Sequence, residues 1–291
     1  MGPDSGGGEG LKERLLDGEG VSDGEHETSY ETKLGGNRKT MLQQTLHFFT
    51  YLMGKVAGYI IPSTWFLEKV KLTELQRRRV SELIARAGVK YDQETHGSDL
   101  KKLWELAFPE TIPFVEGKTK QWQEMGWQGD HPSSDFRGGG YLALENLIYF
   151  ADKKPLAFQR LCFKMQGKRS DWEYPFGAAG VNITFMLTKV LELNPKTANH
   201  TSSSFDFDFA PVTPAGRAFL GLLDSEDELY EKAFEELFCA VFELLDRVWL
   251  EEKADYMQFP TVMKKTEERL TKTMAKQPKT LQHLEDLLVM S

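Results

Sequence analysis

One arginine stands out for where it sits. Arg137 follows Asp135-Phe136 and precedes Gly138-Gly139-Gly140. The glycines run into Leu144, Leu147, Ile148 and Ala151, whose i, i+3, i+4, i+7 spacing predicts a helix. Arg137 is therefore expected just ahead of a helix N-terminus. Free N–H groups and partial positive charge collect there, and with a guanidinium beside them they favour an anionic phosphate. Gly138 and Gly140 carry no Cβ and allow another backbone to approach closely. Asp135 is expected to orient Arg137 or to cap the following helix. The plainer alternative is a loop arginine that simply pairs with Asp135. Gln128 is the second polar candidate, able to contact a partner or to hold the loop. Trp122 and Trp127 read as wedges under the loop, with Trp127 also a candidate partner contact. Phe136, Leu144 and Leu147 read as core.

Other chemistries fail on spacing. Gly117-Lys118-Thr119 imitates the end of a phosphate-binding loop, but Ile112 stands where its first glycine belongs. Gly138-x-Gly140-x-x-Ala143 imitates a dinucleotide fingerprint without a preceding strand. His131 has no second histidine at ligand spacing and reads as a turn residue. Cys162 and Cys239 lie among apolar residues and read as buried, reduced thiols. Neither a metal nor a cofactor is expected. The Asn182 and Asn199 glycosylation patterns read as chance matches, because the first twenty residues lack an apolar signal core. Gly6 stands where a myristoylation signal wants Ser or Thr, so that modification is not expected.

The elements that must position this segment read as helices. Thr73 caps a run with Leu75, Val80, Leu83, Ile84 and Ala87, which ends at Gly88. Ser98 is expected to cap a short helix bearing Leu100, Leu103, Trp104 and Ala107. Gly177, Ala178, Ala179 and Gly180 suit close helix packing. Ser225 and Glu228 form a capping-box pattern. Behind it a single long helix is expected, with Leu229, Ala233, Leu237, Val241, Leu244 and Val248 on one side. Phe205, Phe207 and Phe209 alternate with aspartates but have no partner strand, and read as an extended connector. The fold class is all-α, with one glycine-rich irregular segment at its centre.

Charge narrows the partners. The net charge of -8 argues against a nucleic-acid binder, which needs clustered cations. The one basic run, Arg77-Arg78-Arg79, reads as a solvated helix face, with contact to an acidic lipid or partner as the alternative. Residues 1–39 are rich in Gly, Glu, Asp and Ser and read as a disordered tail. Residues 40–67 are nearly uncharged but too polar for a membrane span. A buried helix is expected there, and a peripheral membrane helix is the alternative. The expected organisation is the tail at 1–39, packed helices at 40–96, the main domain at 97–272 and a helical tail at 273–291.

The segment 122–147 is longer than any chance motif. It reads Trp122-x3-Gly126-Trp127-Gln128-x3-Pro132-x2-Asp135-Phe136-Arg137-Gly138-x-Gly140-x3-Leu144-x2-Leu147. This resembles the signature of the ELMO domain family, with Trp127 where that family more usually has Phe. A second match follows at Tyr174-Pro175-Phe176 and Asn182-Ile183-Thr184. The resemblance spans roughly residues 97–272. It implies a compact ELMO-domain protein that activates GTP hydrolysis by an Arf- or Arl-family small GTPase in its GTP form. Arg137 stands at the family's functional arginine. The GTPase-contacting set around it is Gln128, Asp135, Trp127, Gly138 and Gly140. The chemistry agrees: a guanidinium supplied in trans raises GTPase rates by about 10³–10⁵. The GTPase carries the nucleotide and magnesium, so the activator is a regulator without a nucleotide site of its own. The alternative is a non-catalytic adaptor that holds a GTPase or a DOCK-like exchange factor. The larger ELMO scaffolds carry armadillo-like and PH regions that find no room in this sequence. The expected location is the cytoplasm, with peripheral attachment to endomembranes through residues 40–67 as a variant.

The composition of the N-terminal segment generates a first prediction. Limited proteolysis of the full chain will cut within residues 1–39 and leave a stable core starting near Thr40. Mass spectrometry of the fragments checks it, and an uncut N-terminus would refute it.

Overall fold

The computed structural model describes residues 72–108, 110–163, 174–193, 211 and 213–291, all within one compact unit. The readings of residues 1–39, 40–67 and 205–209 fall outside these. The described residues form helices and turns only, as the periodicity predicted. No helix among them is long and apolar enough to cross a membrane.

Helix α1 (Glu74–Ala87) starts at Thr73, whose hydroxyl accepts from the Gln76 N–H while the Gln76 side chain accepts from the Thr73 N–H. That reciprocal box satisfies two donors that a helix start leaves open. Helix α2 (Gln93–Ala107) begins earlier than expected. Asp92, not Ser98, is its cap, and its carboxylate accepts from the Thr95 N–H at 3.0 Å. With Asp92 holding the first turn, the helix runs straight through Gly97.

Short α3 (Gln121–Glu124) and a 3-10 turn (Pro132–Arg137) lead into α4 (Gly140–Lys153) and α5 (Pro155–Phe163). Then come α6 (Phe176–Val190), α7 (Pro214–Leu222) and the long α8 (Ala233–Glu252), followed by α9 (Phe259–Ala275) and α10 (Leu281–Val289). Helix α4 is central: it packs against α1, α2, α5, α6 and α8. Phe150 of α4, Phe158, Phe176, Phe238 and Phe242 form one aromatic centre, with the Phe176 and Phe242 rings 4.7 Å apart. Fully burying a ring of this kind contributes about 2–3 kcal/mol. The two cysteines are buried, as read from the sequence, and burial pushes the Cys239 thiol up.

Two further expectations need correction. The Ser225 capping box does not form. Asp227 caps a 3-10 turn over Glu228–Lys232, and α8 starts only at Ala233. Leu229 is therefore half exposed, off the buried face. The cause lies in the second correction. Of the basic run, Arg79 is not on a solvated face, and Arg78, though exposed, joins it in reaching across to Glu231 in that turn, at 2.6 Å for Arg78 and 2.8 Å for Arg79. Arg79 is itself buried and also donates to the carbonyls of Leu223 and Ser225. Two guanidinium groups hold the Glu231 carboxyl down to about 2. Arg77 keeps the expected surface role, pairing only within its own helix, 3.4 Å from Glu74.

Arg79→Ala should thus destabilise the fold by about 3 kcal/mol, since it leaves buried carbonyls and a carboxylate short of donors. Arg77→Ala should change stability by less than ~0.5 kcal/mol, as exposed pairs do. Urea unfolding of both variants checks the contrast, and equal effects would refute it.

Candidate functional site

The segment before Arg137 is fixed from both ends. At its start the Thr119 N–H donates to the Asp130 carbonyl at 2.7 Å and closes a loop. Inside that loop α3 buries Trp122 completely, edge-on to Trp104 at 4.7 Å and to Phe114 at 6.3 Å. The next residues meet the start of α6. Its first N–H groups have no side-chain cap, since Pro175 precedes them. The loop supplies acceptors instead: Gly177 N–H donates to the Met125 carbonyl at 2.8 Å and Ala178 N–H to the Gly126 carbonyl at 3.4 Å. Gly126 has φ +77, and a Cβ on it would lie 2.2 Å from the Phe176 nitrogen. Any side chain at 126 would both strain the backbone and collide with the helix it caps.

Trp127 is only 3% exposed. Its ring lies on Gly177, where a Cβ would stand 2.6 Å away, and tilts against Phe136 at 5.1 Å. It is therefore the wedge. The reading of Trp127 as a partner contact is corrected by its burial. Neither the Trp122 nor the Trp127 indole nitrogen has a hydrogen-bond partner among the described residues.

The 3-10 turn opens on His131, whose Nδ1 accepts from the Ser133 N–H at 3.3 Å. His131 is a turn residue here, and burial lowers its pKa. No group of three or more metal-ligating side chains occurs among the described residues. Phe136 is buried between Trp127 and Tyr91, with the Tyr91 ring stacked at 4.6 Å. Arg137 ends the turn and is exposed.

The Arg137 side chain does not pair with Asp135. Its Nε donates to the Ser134 carbonyl at 2.9 Å. Neither terminal nitrogen has a hydrogen-bond or ion-pair partner among the described residues. Asp135 is occupied elsewhere: it accepts from the Gln128 N–H at 2.9 Å and from the Ser134 hydroxyl at 3.4 Å. It does not cap α4 either, whose N-cap is Gly139 with no side-chain bond. Both expected roles of Asp135 toward Arg137 are therefore corrected. What Asp135 does is tie Gln128 to the turn. Gln128 itself is exposed, on the same loop as Arg137.

The glycines serve the chain's own packing. Gly140 has φ +61, and a Cβ there would lie 2.5 Å from the Val89 carbonyl, which accepts the Tyr141 N–H at 3.0 Å. Gly139 faces the Val181 carbonyl of α6, 3.1 Å from where its Cβ would be. Only Gly138 is exposed, with Val181 as its nearest neighbour. A close approach at Gly140 is made by residue 89 of the same chain. Further along, a Cβ on Gly180 would meet the Leu147 side chain at 2.7 Å, and Asn146 donates to the Thr184 hydroxyl at 3.0 Å. These contacts set the spacing of α4 and α6, as the small-residue run predicted.

The sequence reading missed Val89 and Tyr91. They occupy the short connector between α1 and α2, and no periodicity marks them. The arrangement as a whole presents one guanidinium with its fork open, its Nε tethered and its turn clamped by aromatic rings. Such a group can meet phosphate or carboxylate oxygens with two parallel hydrogen bonds.

The sequence profile of the ELMO/CED-12 family matches residues 81–263. The chain is 31% identical over 222 residues to ELMO domain-containing protein A of Dictyostelium discoideum, covering 74% of this chain and 22% of that one. It is 29% identical over 211 residues to ELMO domain-containing protein 1 of Bos taurus, covering 66% and 57%. Engulfment and cell motility protein 3 of Bos taurus is 27% identical over 165 residues, covering 56% and 22%. The chain thus spans from about a fifth to just over half of these relatives' lengths.

The capping of α6 makes Gly126 the most sensitive position of the segment. Gly126→Ala should cost about 3 kcal/mol or more, through strain and collision together. Gly117→Ala is the control: φ is +96 but nothing lies within 4 Å, so about 1 kcal/mol is expected. Chemical denaturation of both measures the difference, and a Gly126→Ala protein as stable as Gly117→Ala would sink the argument.

Proposed function

The chain belongs to the ELMO/CED-12 family, and on that premise we propose that it activates GTP hydrolysis by an Arf- or Arl-family small GTPase. Arg137 is the cation it places against the GTP phosphates. The observation that carries this reading is the open guanidinium fork of Arg137 on an otherwise clamped turn. A phosphoryl group passing to water spreads charge over its equatorial oxygens, and the demand is for positioned positive charge rather than covalent help. A planar fork that stays ionised meets that demand better than an ammonium does. The tether to Ser134 removes part of the rotamer freedom that docking would otherwise cost. Gln128, held on the same loop through Asp135, is the second polar group that this reading assigns to the GTPase contact. Trp127 and Gly140 support the loop from within.

The test is single-turnover GTP hydrolysis by Arf and Arl proteins with the purified full chain. Arg137→Ala should cut the stimulated rate by at least ~100-fold, as removal of a trans arginine does. Arg137→Lys should lose most of the activity, because it keeps the charge without the fork. Affinity for the GTP-bound partner should fall less than turnover, as expected of a contact made mainly in the transition state. Undiminished stimulation by Arg137→Ala would overturn the role of the arginine. Binding without any stimulation by the parent chain would establish the adaptor reading instead.

A further inference from the structure

We propose that Tyr91 is a positioning residue for Arg137, acting through the stack that its ring makes on Phe136; the proposal rests on the reading of Arg137 given above.

Arg137 has one tether, and that tether is internal. Its Nε bonds to Ser134 within the same 3-10 turn. A six-residue 3-10 turn is loosely held by its own hydrogen bonds. Where the turn sits on the domain must therefore be decided by what its buried residues touch. Phe136, next to Arg137, is the largest of these, and it has two aromatic faces against it. Trp127, from the same loop, tilts at 5.1 Å. Tyr91 comes from the α1–α2 connector, stacked at 4.6 Å with 27° between the planes.

Tyr91 is itself anchored outside the loop. Its hydroxyl donates to the Gln93 side chain at 2.5 Å. Its ring lies 5.8 Å from His96, and the His96 ring stacks on Tyr141 at 3.9 Å. Tyr141 in turn donates to Asp99 at 2.6 Å. The chain Phe136, Tyr91, His96, Tyr141 thus runs from the turn through α2 to the first turn of α4. The Val89 carbonyl, bonded to the Tyr141 N–H, fastens the same connector on the other side. Tyr91 is half buried and packs against the edge of the core rather than inside it, so its loss opens no interior cavity. Its loss removes one of the two aromatic faces of Phe136, the one supplied from outside the loop. A displacement of about 1 Å at a reacting group can cost on the order of 10²-fold in rate.

The experiment compares the parent full chain with Tyr91→Ala, Tyr91→Phe, Arg137→Ala and the double variant Tyr91→Ala/Arg137→Ala. The readout is kcat and KM for the GTP-loaded Arf or Arl protein that responds best to the parent. Tyr91→Ala should lower kcat about tenfold and leave KM within about twofold. Tyr91→Phe keeps the ring and should restore kcat to within about twofold of the parent. In the Arg137→Ala background, Tyr91→Ala should cost nothing further, because it acts only through that arginine. Loss of general stability would instead lower both backgrounds alike. Full activity of Tyr91→Ala beside a crippled Arg137→Ala overturns the positioning role and leaves the function standing. So does an equal loss in both backgrounds, a rise in KM alone, or failure of the phenylalanine to rescue. If the parent stimulates no GTPase, or Arg137→Ala is as active as the parent, the functional reading itself falls and this proposal falls with it.

Discussion

The site depends on one debt at the start of α6. A helix leaves its first N–H groups without partners, and a buried helix start cannot leave them so. Pro175 offers no side-chain acceptor. The loop backbone at Met125 and Gly126 answers instead, and it can do so only because residue 126 has no Cβ. From that contact the rest follows in order. Trp127 is laid across Gly177, Phe136 is laid against Trp127, and Arg137 comes next in the chain. The two sequence stretches that carry the family resemblance, around Gly126 and around Phe176, are thus the two sides of one hydrogen-bonded contact.

Glycine has the same meaning at several points. At 126, 140, 177 and 180 the missing Cβ admits a piece of this chain: the Phe176 nitrogen, the Val89 carbonyl, the Trp127 ring and the Leu147 side chain. The arginine motif is therefore rigid. Glycines around a functional arginine suggest a mobile loop when read in isolation. Positive φ values at 126 and 140 with backbone within 2.5 Å of the absent Cβ describe the opposite, a segment pinned by contacts too close for any other residue.

What the sequence made legible was local. Helical periodicity predicted the all-α class and the buried faces of α1 and α8, and the motif drew attention to Arg137. Where the reading erred, a long-range partner had won. Leu229 fits the apolar stripe of α8, yet Glu231 two residues on is pulled toward Arg78 and Arg79, some 150 positions earlier in the chain, and the first turn is drawn into 3-10 form. Ser98 and Asp92 are both good caps, and spacing alone could not choose between them. Asp135 beside Arg137 invites a salt bridge, but the Gln128 N–H, seven residues back, holds its carboxylate. Tyr91 was invisible because it stands in a connector, where neither a helical nor a strand period marks a side chain as buried.

The contrast among arginines bears most directly on function. Arg78, Arg79 and Arg86 reach Glu231, Glu235 or Glu145, and Arg79 adds two main-chain carbonyls. The fold thus has acids to spare and uses them to fasten α1 to α4 and α8. Arg137 has an acid two residues away, and the loop spends that acid on a backbone N–H. A guanidinium left with its fork open contributes little to folding, since water already solvates it well and a surface ion pair would add only ~0–1 kcal/mol. Among the described residues Arg137 keeps its fork open on a turn held by Trp127, Phe136 and Tyr91, and the proposed function would use that fork as the group that meets a partner.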